Sequence, residues 1–141
     1  MKKTFKEIII ILLVTFIITG CGKKNNLVKY ESDLLGYDFS NYVLNSNGNA
    51  KEDYADITFE IKSSKVDSFK KRITKVVSLF SEEDFNTISG TNLHKEITDF
   101  CNREDIIEMY HTFRTGKKVK TRDIYMTLCK KNSKYYLNII G

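Results

Sequence analysis

The chain of 141 residues has no proline, no tryptophan, two histidines and three cysteines. With so few ligating side chains, no Cys-x-x-Cys pair and no His-x-x-x-His spacing, the common zinc arrangements are excluded. Gly-x-Ser-x-Gly, a glycine-rich phosphate loop and calcium-loop spacing are also missing, so no catalytic residue, metal or cofactor is expected. No repeat occurs at solenoid periods. The formal net charge of +5 is modest. A nucleic-acid binder would show a strong clustered excess with interleaved aromatics, so that class of partner is excluded.

What the sequence does have begins at its N-terminus. Lys2, Lys3 and Lys6 precede an apolar run from Ile8 to Ile18, broken only by Thr15. Thr19 and Gly20 then lead to Cys21. This is the basic, apolar and small-residue order of an export signal. The run falls short of the roughly 20 residues that span a bilayer, and it lacks the polar face of a core helix.

Ile18-Thr19-Gly20-Cys21 resembles the lipobox of bacterial lipoproteins. The resemblance covers this segment alone. It implies a diacylglyceryl group on the Cys21 thiol, cleavage before Cys21, and attachment to the extracytoplasmic face of the cell membrane. Residues 1–20 are then a signal peptide and 21–26 a lipidated cysteine with a short polar tether. Residues 27–141 remain as one domain, long enough to close a core without staples. Lys23 and Lys24 would lie beside the headgroups.

Within the body, Ala55, Ile57, Phe59 and Ile61 alternate with polar residues, which predicts a half-buried strand. Before it, a strand is expected near Tyr42-Val43-Leu44, then a loop with a turn at Asn47-Gly48. Val66, Phe69, Ile73, Val76, Val77 and Phe80 keep helical spacing, so a helix is expected from Ser64 to about residue 80. A second helix, capped by Thr91 or Asn92, carries Leu93, Ile97, Phe100 and Cys101 on its apolar stripe. The period then shifts to two. Strands over 106–114, 119–130 and 134–140 form a meander, and a turn at Asn132-Ser133 pairs 128 with 137 and 126 with 139. The expectation is an α+β domain. Its antiparallel sheet combines an N-terminal strand or hairpin with the C-terminal three-stranded meander, and two helices pack on one face.

Strand parity groups Tyr125, Tyr136 and Tyr110 with Thr127 and Asn138 on the outer sheet face, a composition suited to adhesion. Arg114, Lys117 and Lys118 crowd the first meander turn and could meet an acidic partner, headgroups or wall polymer. His94 is expected to face solvent, and His111 to be a half-buried strand histidine bonded to backbone, the other reading being a general base or a ligand. An exported domain permits a Cys101–Cys129 disulfide. With the helix on the Ile124 face, however, the two thiols look in different directions, which favours one buried and one semi-exposed thiol.

These features suggest a lipid-anchored, non-enzymatic binding module for a protein or envelope component. Resemblance in size and anchor to small lipoproteins of Gram-positive bacteria and their phages implies an immunity or exclusion role. The alternative is a small envelope-acting enzyme or ligand carrier with a pocket inside a cone-shaped sheet.

Overall fold

The computed structural model describes residues 26–51, 54–116 and 119–141, and of 114–116 and 119–121 the backbone alone. The signal, lipobox and Cys21 readings lie outside the described residues. The chain is α+β, built on one six-stranded antiparallel sheet. Helix α1 covers residues 26–35. Strands β1 (Val43–Lys51) and β2 (Tyr54–Ile61) follow, then α2 (Val66–Ile73), β3 (Ser78–Leu79), α3 (Glu82–Thr87) and α4 (Asn92–Phe100). The chain ends in the meander β4 (Ile106–Gly116), β5 (Val119–Lys131) and β6 (Lys134–Ile140). In space the order is β1-β2-β6-β5-β4-β3, so the last strand joins the N-terminal hairpin to the meander.

The meander follows from its turn. Asn132 and Ser133 both have positive φ, 49° and 65°, as the tight hairpin turn matching strand twist requires. Leu128 therefore faces Leu137 and Met126 faces Ile139. On the other side of β6, Phe59 faces Leu137 and Ile57 faces Ile139, so three strands pool their apolar residues on one inner face.

α1 and α2 cover that face. Val28, Leu34 and Leu35 from α1 join Phe69 and Ile73 from α2 over Ile57, Phe59, Met126 and Ile139 in one buried cluster. α3 and α4 cover the opposite, outer face. There Phe85, Ile97 and Ile140 form a second cluster, with Leu93, Met109 and Tyr125 at its margin. Helices therefore lie on both faces of the sheet, and the two expected on one face lie on opposite ones.

Three local expectations change. α1 occupies a stretch that reads as irregular, because the buried Glu31 interrupts its apolar stripe. β1 runs straight through Asn47-Gly48, with no turn there, as an edge strand placing Gly48 opposite Ile57. α2 stops at Ile73, short of residue 80. Val77 stays in the inner cluster, whereas Phe80 packs at the margin of the outer one. The chain passes from one face to the other around the sheet edge, as no single helix could. β3 makes the passage by pairing Ser78 with His111 and Leu79 with Tyr110.

Candidate functional site

The short α3 is fixed by a capping box. The Ser81 hydroxyl accepts from the Asp84 backbone N–H, and the Asp84 carboxylate accepts from the Ser81 backbone N–H. The Ser81 hydroxyl also donates to Asp84 Oδ2 at 2.7 Å, and this bond first, then that from the Ser81 backbone N–H, holds the Asp84 carboxyl below its ordinary range. Thr91 caps α4 by accepting from the His94 N–H. α4 is pinned at its far end, where Cys101 is bonded to Cys129 of β5 with Cα atoms 6.2 Å apart. This corrects the expectation of separate thiols. Because α4 covers the outer face, Cys129 and Cys101 look toward each other, and both are buried.

α3 and α4 leave the β2–β6 end of the outer face open. The gap is a cleft of about 710 Å³. Its floor is Asn138, Ile140 and Gly141 at the end of β6, and its walls are Tyr54, Asp56 and Thr58 of β2 facing Leu93, Glu96, Asp99 and Phe100 of α4. Asp123 and Tyr125 of β5 close one side. The buried Asn138 amide organises the floor by donating to Asp56 Oδ1 at 3.1 Å, to the Ile57 carbonyl at 3.3 Å and to Thr58 Oγ1 at 3.3 Å. Four carboxylates, Asp56, Glu96, Asp99 and Asp123, line the cleft, and no lysine or arginine is among its described lining residues. Asp99 is paired with Lys95 on the exposed side of α4, at 2.5 Å.

His111 stands at the border of this site. Its Nε2 lies 2.7 Å from Asp123 Oδ1, so its partner is a side chain, where a backbone bond was expected. Its ring packs 4.8 Å from that of Tyr125, which Phe80 meets edge-on at 5.5 Å. Burial, and then the charge of Asp123, raise the Tyr125 hydroxyl above its ordinary value, so Tyr125 stays a neutral donor. His94 is half-buried, with its ring 4.8 Å from that of Phe85, and does not simply face solvent.

The expected tyrosine group separates. Tyr125 lines the cleft. Tyr136 shares its face but lies opposite Cys129, four positions along β5 from Tyr125, or about 13 Å. It is not among the residues lining the cleft. Tyr110 leaves the group, because it pairs with Met126 on the inner face and is fully buried there. Its hydroxyl donates to Glu108 at 2.6 Å. The side chains of Arg114, Lys117 and Lys118 lie outside the described residues. Arg122 points inward, and its Nη2 donates to the Tyr30 hydroxyl of α1 at 2.7 Å.

Sequence parity alone places Asp56 and Thr58 on the polar side of β2. What it lacks is the β2–β6 pairing, which sets Asp56 against Ile140 and so builds the cleft. Chemically, the arrangement offers carboxylates, a neutral phenol and the apolar side chains of Leu93, Phe100 and Ile140, the means to hold a cationic or amphipathic group. The His111–Asp123 pair could move a proton. Among the described residues no group of three or more His, Cys, Asp or Glu side chains is placed to hold a metal ion. No protein-family model matches the chain, and no curated protein or solved structure does so either.

Proposed function

We propose that the chain is a lipid-anchored, extracytoplasmic binding module, without catalysis, whose outer-face cleft receives a protein or envelope component. An immunity or exclusion role fits this reading, with the tethered domain intercepting an incoming partner. The observation that carries it is the cleft itself. The rings of Tyr54 and Tyr125, the apolar side chains of Leu93, Phe100 and Ile140, and four carboxylates with no lysine or arginine among the described lining residues suit a partner segment bearing lysine or arginine. The Cys101–Cys129 bond supports export, since such bonds persist in oxidising compartments.

A photo-crosslinking residue at Thr58, inside the cleft, should capture the partner in cells, and one at Asn49 on β1 should not. The purified partner should then bind Asp56→Asn, Asp123→Asn protein at least tenfold more weakly. Equal affinity for that variant and the parent would remove the cleft from the function.

The pairing of His111 with Asp123 favours a second reading, an envelope-acting enzyme with His111 as base. A partner that is bound but chemically unchanged argues for the first reading, and a covalently altered one for the second.

A further inference from the structure

The two helical layers carry opposite charge. Residues 62–77, which contain α2, hold Lys62, Lys65, Lys70, Lys71, Arg72 and Lys75 against Asp67 alone, a net of +5. Residues 78–105, which contain α3 and α4, hold seven acids against Lys95 and Arg103, a net of −5. The sheet stands between them, since α2 buries Phe69 and Ile73 on the inner face and α4 buries Ile97 on the outer. Lys70 is tied to Glu108 at 2.6 Å, and the Arg72 guanidinium lies over the Tyr37 ring at 4.9 Å. Lys65, Lys71 and Lys75 are exposed. α1 and the turn after it add Lys29 against Asp33 and Asp38, with Glu31 kept neutral by burial, so the inner layer remains at +4.

We propose that the α1–α2 layer is the membrane side of the domain: exposed lysines of α2 lie against anionic lipid headgroups and hold the acidic cleft on the far side, open to the exterior. The proposal rests on the reading of Cys21 as a lipid anchor. Only residues 22–25 separate Cys21 from residue 26 of α1. Even fully extended, that tether spans at most about 17 Å. The surface field is largely screened beyond about 8 Å at physiological salt, so it acts on the domain once the short tether has brought the α1–α2 layer against the headgroups. An anionic bilayer attracts the +4 layer and repels the −5 layer, and both forces turn the domain the same way. A cationic partner arriving from outside then meets the carboxylate-lined cleft first.

The test is lysine footprinting of the full lipidated protein, reconstituted into phosphatidylglycerol–phosphatidylcholine vesicles and into phosphatidylcholine alone. A short pulse of an acylating reagent is read residue by residue by mass spectrometry. Lys65, Lys71 and Lys75 should react severalfold more slowly on anionic vesicles, while Lys95 of α4 should not. The protection should vanish in about 1 M salt, where the Debye length is roughly 3 Å. In Lys71→Ser, Arg72→Ser, Lys75→Ser protein, Lys65 should lose its protection. Equal response of α2 lysines and Lys95, protection of Lys95 instead, or protection of Lys65 that survives the triple substitution would each overturn the orientation. Intact mass reads the anchor separately. A Cys21 without its diacylglyceryl group defeats the anchor, whereas a flat footprint on acylated protein defeats the orientation alone. The unacylated full chain would then be footprinted on the same vesicles, where salt-sensitive protection of α2 upholds the basic face and its absence ends the proposal.

Discussion

Cys101, the C-cap residue of α4, and Cys129, in β5, are joined by a buried disulfide on the outer face of the sheet. The bond closes a loop of sequence separation 28 that starts just after α4 and contains the whole of β4 and most of β5. Closing a loop of that size is worth about 3–4 kcal/mol in the chain-entropy account. Cys101→Ala, Cys129→Ala protein should therefore melt roughly 10–20 °C lower. The prediction is checked by thermal denaturation of both proteins with and without reductant. If the double variant and the oxidised parent melt together, the bond does not stabilise this fold.

Glu31 gives a pH dependence of definite sign. Its side chain is buried in α1, and its Oε1 has no hydrogen-bond partner among the described residues. Desolvation first, and then the negative charge of Asp38, push its carboxyl up to about 9. Below the ordinary carboxylate value both folded and unfolded chains hold the proton, and nothing is lost. Between that value and about 9 the unfolded chain releases the proton while the folded chain keeps it. Over that window stability falls as pH rises, on the order of 1 kcal/mol per unit. Glu31→Gln removes the titration, so its gain in stability should be small at pH 5 and larger at pH 8. Urea denaturation at the two values checks this, and a gain independent of pH would contradict it.

Gly48 sits in β1 with φ at +130°, directly opposite Ile57. A Cβ there would collide with the Asp56 carbonyl oxygen and the Ile57 backbone. Gly48→Ala should cost about 2 kcal/mol through strain and lost edge pairing. Hydrogen exchange should show the β1–β2 amides opening first, with the meander amides unchanged. Unaltered protection along β1 would mean that the edge strand tolerates the extra carbon.

The parts of this fold legible in the sequence are those where one physical signal acts alone. The alternation over 54–61 and the Asn132-Ser133 turn specify β2 and the β5–β6 register without help from distant residues. Where signals compete, the reading breaks. Glu31 on an apolar stripe hides α1, and an Asn-Gly pair that commonly turns a chain is used in β1 for close approach to a neighbouring backbone. Val76, Val77 and Phe80 keep helical spacing although the chain is rounding a sheet edge. For the site, parity places Tyr125 and Asp56 on the outer face. It cannot show that β6 lies between β5 and β2, and that pairing alone brings the two residues to one cleft. Tyr110 is misplaced for the same reason, since its face depends on pairing with Met126.

Binding and chemistry separate most sharply at two neighbouring rings. Tyr125 and His111 are cross-strand partners with centroids 4.8 Å apart, but Tyr125 lines the cleft and His111 reaches it only through Asp123. An aromatic anchor in a cleft is commonly worth about 2 kcal/mol or more on truncation. Tyr125→Ala should therefore weaken partner binding roughly thirtyfold. Tyr136→Ala, outside the cleft lining, should change affinity little. His111→Ala deletes no cleft contact and leaves Asp123 free to face a cation, so affinity should hold or rise slightly. Titration calorimetry with the crosslinked partner, once purified, checks all three substitutions, alongside melting curves that exclude loss of fold. Loss of the cellular phenotype in His111→Ala protein that still binds normally would transfer the function from contact to proton transfer. Normal binding by Tyr125→Ala protein would place the contact surface elsewhere.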